Sequence, residues 1–126
     1  MAVDQAIHDF EAEFELADEA MLDESPVGRA VRARLRERLS DVRDALDGER
    51  FRVGDGWLTA RGRRTDEDRR MLMVRIAAVS ARLRERKTDA RSYLEVRRLT
   101  HDLDHYLQKL HDLMYDSVEL ELGGSE

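Results

Sequence analysis

The chain has 126 residues, no cysteine, a formal net charge of −6 and charged side chains at 40% of its positions. This composition excludes a disulfide framework and a thiolate metal site, fits one domain over residues 1–126 with a core of its own, and favours helices with one thin apolar stripe and wide solvated faces. No apolar run approaches the ~20 residues of a membrane span, and the first residues lack the basic start and apolar stretch of a signal peptide, so we expect a cytoplasmic protein that does not bind a membrane.

Two apolar stripes in the first third of the chain predict two helices. Apolar residues spaced alternately by four and three predict a first helix over residues 4–22. Ser25 is a favourable N-cap and Pro26 a favourable first helical residue, so we predict a second helix over residues 26–47. The two stripes are Val3, Ile7, Phe10, Phe14, Ala17 and Met21, then Val27, Val31, Leu35, Leu39, Val42 and Leu46.

The segment after the second helix breaks the helical period. In residues 50–64, two short apolar stretches flank Gly54-Asp55-Gly56, a pattern typical of a short β-hairpin or an ordered loop. An isolated hairpin is marginally stable in water, so it needs a surface to pack on, and Trp57 is the obvious anchor. We therefore predict a hairpin-like insertion between the second and third helices.

A third helix is predicted over residues 66–87. Thr65 is a favourable cap, and the three acidic residues that follow it suit the first turn of a helix. The period slips near residues 86–89, which indicates either a tight turn or one continuous helix with a stutter; we favour the turn, with Thr88 or Asp89 as the cap of the next helix. The third stripe is Met71, Leu72, Ile76, Val79 and Leu83.

The fourth predicted helix covers residues 90–120, and residues 123–126 form a frayed tail. At ~1.5 Å per residue this helix is about 45 Å long, so part of its apolar face lacks a partner within the chain and favours a homodimer. The elements together predict an all-α fold, an antiparallel four-helix bundle with a short hairpin-like insertion between helices two and three. Six residues of the last helix are expected in the core or at a dimer seam: Val96, Leu99, Leu103, Tyr106, Leu110 and Leu113.

Charge is strongly segregated along the chain. Residues 1–28 contain nine acidic and no basic residues, residues 29–98 contain 21 basic against 12 acidic, and residues 99–126 contain seven acidic and one basic. Opposite charges can attract at the flanks of neighbouring helices, and a basic face can also be left open for a polyanion. Arginines recur along the second helix at Arg29, Arg32, Arg36 and Arg43, with Glu37, Asp41 and Asp44 between them to neutralise much of the row.

A second group of arginines surrounds the aromatic residues of the predicted hairpin. Arginine beside an exposed aromatic ring can bind phosphates and stack on bases. The two rings, Phe51 and Trp57, can equally be buried under the loop. The candidate nucleic-acid-binding residues are Arg52, Trp57, Arg61, Arg63 and Arg64.

Three of the four histidines lie on the fourth predicted helix. His101 and His105 are one helical turn apart, a spacing that can hold zinc or nickel, and a third ligand could be Asp102, Gln108 or Asp112. In the heptad of this helix, however, both histidines point away from the apolar stripe. Histidines on a solvated face are therefore the favoured interpretation, and no cofactor is predicted.

Arg98 and His105 share a face of the same helix. An arginine followed after four to six residues by a histidine on a late helix resembles the motif of the HEPN family of helical ribonucleases, and here the intervening segment is residues 99–104. The family usually has a polar residue directly after the arginine, where this chain has Leu99. The resemblance covers eight residues and implies a dimeric bundle in which Arg98 and His105 meet across the interface to cleave RNA.

No catalytic set converges in the sequence. Acidic pairs such as Glu11 and Glu15 lie one turn apart but in no apparent cleft, and the common nucleotide, hydrolase and metalloprotease motifs are absent. The favoured hypothesis is a non-enzymatic helical protein that acts through protein–protein interaction as a homodimer. The alternatives are an RNA- or DNA-associated bundle that uses the arginine-rich middle and, behind it, a HEPN-like ribonuclease.

Overall fold

Four α-helices and one short 3-10 helix form the described part of the protein. The computed structural model describes residues 2–49, 56–85 and 89–124, with side chains described at 2–49, 60–85 and 89–115. The elements are α1 (Val3–Ala17), a 3-10 helix (Asp18–Leu22), α2 (Pro26–Gly48), α3 (Gly56–Leu83) and α4 (Ala90–Gly124). These ranges contain no strand, and the predicted all-α four-helix bundle is confirmed.

The helices pack in chain order around a square, in which α1 lies beside α4 and α2 beside α3. A ladder of three ion pairs shows that α3 and α4 run antiparallel, because its members rise along α3 as they descend along α4. The pairs are Asp68 with Lys109, Arg75 with Asp102, and Arg82 with Glu95. Each step is seven residues, the repeat that keeps one flank of a helix facing its neighbour.

The core is built from the predicted stripes. Phe10, Leu39, Val42, Leu99 and Leu103 are each fully buried. Two residues of the predicted stripes lie outside the core: Val27 and Met71 are each 64% exposed. Val27 occupies the first turn of α2, and Met71 lies on the face of α3 turned away from Leu72, its buried neighbour, since adjacent helical residues are rotated by about 100°.

Arg32 fixes the junction between the first two helices. It was expected on the exposed arginine row, but it is buried, and its Nη1 donates hydrogen bonds to Met21 O at 2.9 Å and Asp23 O at 2.8 Å. These carbonyls end the first helical segment, and such groups need a donor when they are buried. The predicted helix over 4–22 is an α-helix only to Ala17; Asp18, at φ 43°, starts the 3-10 turn.

The start of α2 is as predicted in position but not in its cap. Ser25 makes no side-chain capping hydrogen bond; instead its backbone N–H donates to Asp23 Oδ1 at 2.8 Å, which lowers the pKa of that carboxyl. Gly28 follows in the first turn and lies against the chain at Asp23. A Cβ at Gly28 would come 1.8 Å from Asp23 O, so the close approach requires glycine.

The hairpin predicted over residues 50–64 is wrong where it can be described. Residues 56–64 belong to α3, and residues 50–55 lie outside the described residues. Thr65 is consequently not a helix cap: it is buried within α3, and its Oγ1 donates to Arg61 O at 2.9 Å. The alanine and arginines of residues 60–64 are good helix formers, and this preference outweighs the turn signal of the nearby glycines.

A break between α3 and α4 is confirmed, and Asp89 is the cap. The N–H of Ser92 donates to Asp89 Oδ1 at 3.0 Å, the bond expected of an N-cap carboxylate, and it lowers the pKa of Asp89. The third helix ends at Leu83 rather than residue 87, and the fourth continues to Gly124. Of the predicted frayed tail, residues 123–124 are therefore helical, and residues 125–126 lie outside the described residues.

Candidate functional site

The predicted catalytic pair lies on the outer face of α4. Arg98, His101 and His105 are all exposed, on the face opposite the core residues Val96, Leu99 and Leu103. All six residues expected in a core or a dimer seam, Val96, Leu99, Leu103, Tyr106, Leu110 and Leu113, are buried within the single chain. A surface that joins two copies must therefore lie elsewhere than on this stripe.

His105 borders a shallow groove of about 270 Å³ between α3 and α4. Met71, Leu72 and Tyr106 contribute apolar surface to it. At one end Arg75 pairs with Asp102, and at the other Lys109 Nζ lies 2.8 Å from Asp68 Oδ2. Because both carboxylates are already paired with cations, neither is free to act as a base beside His105.

The candidate metal ligands do not form a cluster of three in the described part of the chain. Asp102, a candidate third ligand, is paired with Arg75, and Gln108 Nε2 donates to Asp112 Oδ1 at 3.1 Å. No group of three or more histidine, cysteine, aspartate or glutamate residues that could hold a metal ion occurs within the described ranges.

Tyr106 is the one buried residue of the α4 stripe with a polar group. Its hydroxyl has no hydrogen-bond partner among the described residues, and burial, followed by the nearby Glu49 carboxylate, raises its pKa. The phenol is therefore held neutral over the whole physiological range. A neutral, enclosed phenol is a packing group and not a nucleophile.

The predicted nucleic-acid residues are only partly described. Arg52 lies outside the described residues, and Trp57 belongs to α3 by its backbone. Arg61 is half-buried and engaged, whereas Arg63 and Arg64 are exposed. These last two lie on a helix and not on a loop. The side chains of Phe51 and Trp57 lie outside the described residues, so the arrangement of arginine beside an aromatic ring stays a prediction.

Because residues 56–64 are helical, an arginine that the sequence analysis placed in a loop lines up with a second one along one flank of α3. Arg63 and Arg70 are separated by seven residues, so they share one flank of α3, and Arg84 lies in the turn directly after this helix. On α2, Arg29, Arg36 and Arg43 recur every seven residues. Among the described residues, none of Glu37, Asp41 and Asp44 forms an ion pair with the α2 row; the described ion pairs of α2 join Arg34 and Arg38 to Glu13.

An acidic cavity of about 460 Å³ separates α1 from α4, where sequence analysis had found no cleft. Glu11, Glu15 and Asp18 line it from the first helical segments, and Asp104 lines it from α4. Burial, a hydrogen bond with Asp104 and repulsion from Asp104 and Glu15 raise the pKa of Glu11 to about 8. No sequence period could reveal this pair, because it forms only when α1 and α4 become neighbours.

The outer face of α3 carries a second apolar stripe that sequence analysis missed. Met71 and Val74 are 64% and 69% exposed, and the alanines that follow them on this face are also exposed. The members are Met71, Val74, Ala78 and Ala81. The signal was present, because these residues repeat at three and four positions directly opposite the buried stripe of Leu72, Ile76, Val79 and Leu83.

Comparisons of the chain with protein-family models, with curated proteins and with solved structures give no match. None of the described helices contains a stretch that is long and apolar enough to cross a bilayer. The functional argument therefore rests on the surfaces of this bundle alone.

Proposed function

We propose that this protein is a non-enzymatic helical bundle that acts through protein–protein interaction, and that its first partner is a second copy of itself bound through the outer face of α3. The observation that carries the proposal is the second apolar stripe. A helix that is apolar on two opposite faces buries one face against its own bundle and leaves the other face exposed for a partner.

The sizes of the side chains favour an antiparallel pair of α3 helices. The stripe has its large residues, Met71 and Val74, at one end and the alanines Ala78 and Ala81 at the other. An antiparallel arrangement centred near residue 76 places Met71 against Ala81 of the second copy and Val74 against Ala78. Each large side chain then packs over a small one, whereas a parallel arrangement would align the large residues with each other.

The charges at the rim do not decide the direction. Glu67 precedes one end of the stripe, and Arg84 and Glu85 follow the other; all three are exposed. In the antiparallel pair, Glu67 lies level with Glu85 of the second copy and next to the level of Arg84. The stripe spans three turns, about 16 Å, which is at the small end of specific interfaces, so we expect a dissociation constant on the order of micromolar.

Substitution of Ala78 by glutamate tests the seam. The expected result is loss of the dimer in sedimentation velocity, because each copy then buries an unpaired charge at the centre of the seam. The matched control is Ala30→Glu, which introduces the same charge at an exposed alanine of α2. A wild-type chain that stays monomeric up to about 100 µM would contradict the proposal.

Cross-linking tests the register, and the chain is suited to it because it has no cysteine. We expect Val74→Cys mixed with Ala78→Cys to form a disulfide-linked heterodimer faster than either variant forms a homodimer, since only the mixed pair is opposed. Leu16→Cys is the control, because Leu16 is 84% exposed on α1. Equal cross-linking of all pairs would refute the antiparallel seam. The proposed dimer places Arg98 and His105 outside the seam, so it lends no support to ribonuclease chemistry.

A further inference from the structure

The side of the bundle formed by α2 and α3 carries two rows of arginines that face each other. The α2 row lies on the flank opposite Arg34 and Arg38, which reach Glu13 of α1. The α3 row lies on the flank opposite the ladder residues that pair with α4. Both rows therefore border the groove between α2 and α3. We call them the arginine rows: Arg29, Arg36 and Arg43 on α2, and Arg63 and Arg70 on α3 together with Arg84 in the turn after it.

The register between the two helices brings the rows level. Arg69 Nη1 donates to Leu46 O at 3.1 Å, which ties this level of α3 to the end of α2. Counting along the two antiparallel helices from this bond places Arg43 within about one turn of the level of Arg70, and Arg29 within about one turn of the level of Arg84. Like charges thus oppose each other at both ends of the groove, which is unfavourable without an anion between them.

Most of these arginines have no counterion in the described part of the chain. Arg70 lies 2.9 Å from Asp66 Oδ2, but the other five members of the rows form no ion pair with a described residue. By contrast, Arg34 and Arg38 on the opposite flank of α2 are both paired with Glu13. In addition, the Nε of Arg36 is enclosed without a hydrogen-bond partner.

The chemistry of the rows fits phosphate better than a protein surface. The residues beside the arginines on these flanks are small or acidic, among them Ala33 on α2 and Asp66, Ala77 and Ser80 on α3. Protein interfaces place apolar and aromatic anchors at their centre and charge at their rim. A guanidinium, in contrast, matches a phosphate with two parallel hydrogen bonds, and phosphate contacts dominate nucleic-acid affinity.

We propose that the arginine rows bind the sugar–phosphate backbone of a nucleic acid without reading its sequence. The levels of Arg29 and Arg43 are about 21 Å apart along α2, the length of about six base pairs of a duplex at 3.4 Å per step. The acidic α1 and the acidic end of α4 lie away from this side. They repel a polyanion from the rest of the surface and so confine it to the groove.

Fluorescence anisotropy tests the proposal with a short labelled DNA duplex and an RNA strand, each in two unrelated sequences. We expect binding at about 50 mM salt that is similar for both sequences and that weakens with a log–log salt slope of about −4 to −5, from five contacts. The DNA and RNA arms show which backbone is preferred. No binding of either at about 50 mM salt overturns the proposal.

Two double variants of α2 distinguish binding by the row arginines from a general effect of net positive charge. Arg36→Gln with Arg43→Gln is expected to weaken binding at least tenfold and to reduce the salt slope by about 2. Arg34→Gln with Arg38→Gln removes the same charge from the opposite flank and is expected to change affinity less than twofold. Circular dichroism confirms that both variants fold. Equal losses from the two pairs would refute a site at the rows.

A variant of α3 and a competitor complete the test. Arg70→Gln with Arg84→Gln is expected to match the loss seen for the α2 row, since the two rows bind the same strand. Polyglutamate of equal charge is expected to compete poorly, because its carboxylates lack the spacing of a phosphate backbone. Competition equal to that of nucleic acid would overturn the proposal in favour of an acidic protein partner.

Discussion

The α1/α4 side and the α2/α3 side of the bundle both collect charges of one sign, but they accommodate them differently. On the acidic side, Glu11 and Asp104 line one cavity with Glu15 and Asp18, and burial with the neighbouring carboxylates raises the pKa of Glu11 to about 8. On the basic side, the arginines remain charged and spread along two exposed flanks. Carboxyls can lose their charge near neutral pH and guanidiniums cannot, so crowding produces a raised pKa on one side and an open cationic surface on the other.

The square arrangement is what turns a charge pattern in the chain into two sides of a molecule. Since α1 packs beside α4 and α2 beside α3, the acidic start and end of the chain become neighbours. The basic middle then faces the other way. A bundle with α1 beside α3 would have mixed the signs.

The largest expected effect comes from the one arginine of α2 that belongs to the interior. Arg32→Met keeps much of the side-chain volume but leaves Met21 O and Asp23 O without their buried donor. We expect a loss of about 2–4 kcal/mol in the free energy of unfolding, because an unsatisfied buried carbonyl costs about 1–3 kcal/mol. Urea unfolding at fixed protein concentration measures it.

Arg43→Met is the matched control for that loss. Arg43 lies on the same helix but is exposed, so its replacement is expected to change stability by less than about 0.5 kcal/mol. Equal stability of the two variants would show that Arg32 does not support the junction, and that the distinction between structural and surface arginines on α2 fails.

Arg32 also shows where sequence reasoning reaches its limit. The stripes that place Leu39 and Leu103 in the core follow from periodicity alone, and so does the break before α4, whereas the choice of Asp89 over Thr88 as the cap comes from the structure. A period of seven groups Arg32 with the buried Leu39 and Leu46, but its charged side chain favoured the exposed row. Only the path of the chain after Met21 brings two carbonyls to its guanidinium.

For the surfaces too, patterns within one helix could be predicted from the sequence, but contacts between helices could not. The outer stripe of α3 was present in the sequence, since Val74 and Ala78 repeat opposite the buried stripe. The pairing of Glu11 with Asp104 was not, because it depends on which helices are neighbours. The hairpin prediction failed at residues 56–64 because glycine signals were given more weight than the helix preference of the residues that follow.

A smaller effect is expected from the raised pKa on the acidic side. The pKa of Glu11 is raised from 4.5 to about 8, so the folded protein holds a proton that the unfolded chain releases. The contribution of this proton to the free energy of unfolding is therefore complete below pH 4.5 and is lost as the pH rises through 8. Because Glu11 is partly exposed, solvent screening reduces this effect to roughly 1 kcal/mol.

Glu11→Gln tests this account, because an amide donates to Asp104 at every pH. Thermal unfolding between about pH 7 and about pH 9, above the usual range of histidine, is expected to show a falling stability for the wild type and a flat profile for Glu11→Gln. Glu24→Gln removes one exposed carboxylate elsewhere and is expected to keep the wild-type slope. A wild-type profile that is already flat would contradict the raised pKa of Glu11, and Arg97 at the same cavity would then be sufficient to hold both carboxylates charged.

The smallest expected effect lies where the two sides meet, at Glu13 between α1 and α2. Its carboxylate lies 3.1 Å from Arg34 and 3.5 Å from Arg38, and the arginine side chains are 67% and 37% exposed. Exposed pairs contribute little, so Glu13→Gln is expected to cost about 0.5 kcal/mol at low salt and less at about 0.5 M salt, where the attraction is screened. Glu37→Gln, an exposed carboxylate on α2 without an ion pair to a described residue, is the control and is expected to be neutral. A cost for Glu13→Gln that is large and independent of salt would mean that attraction between the acidic and basic helices, and not the apolar stripes, holds α1 on α2.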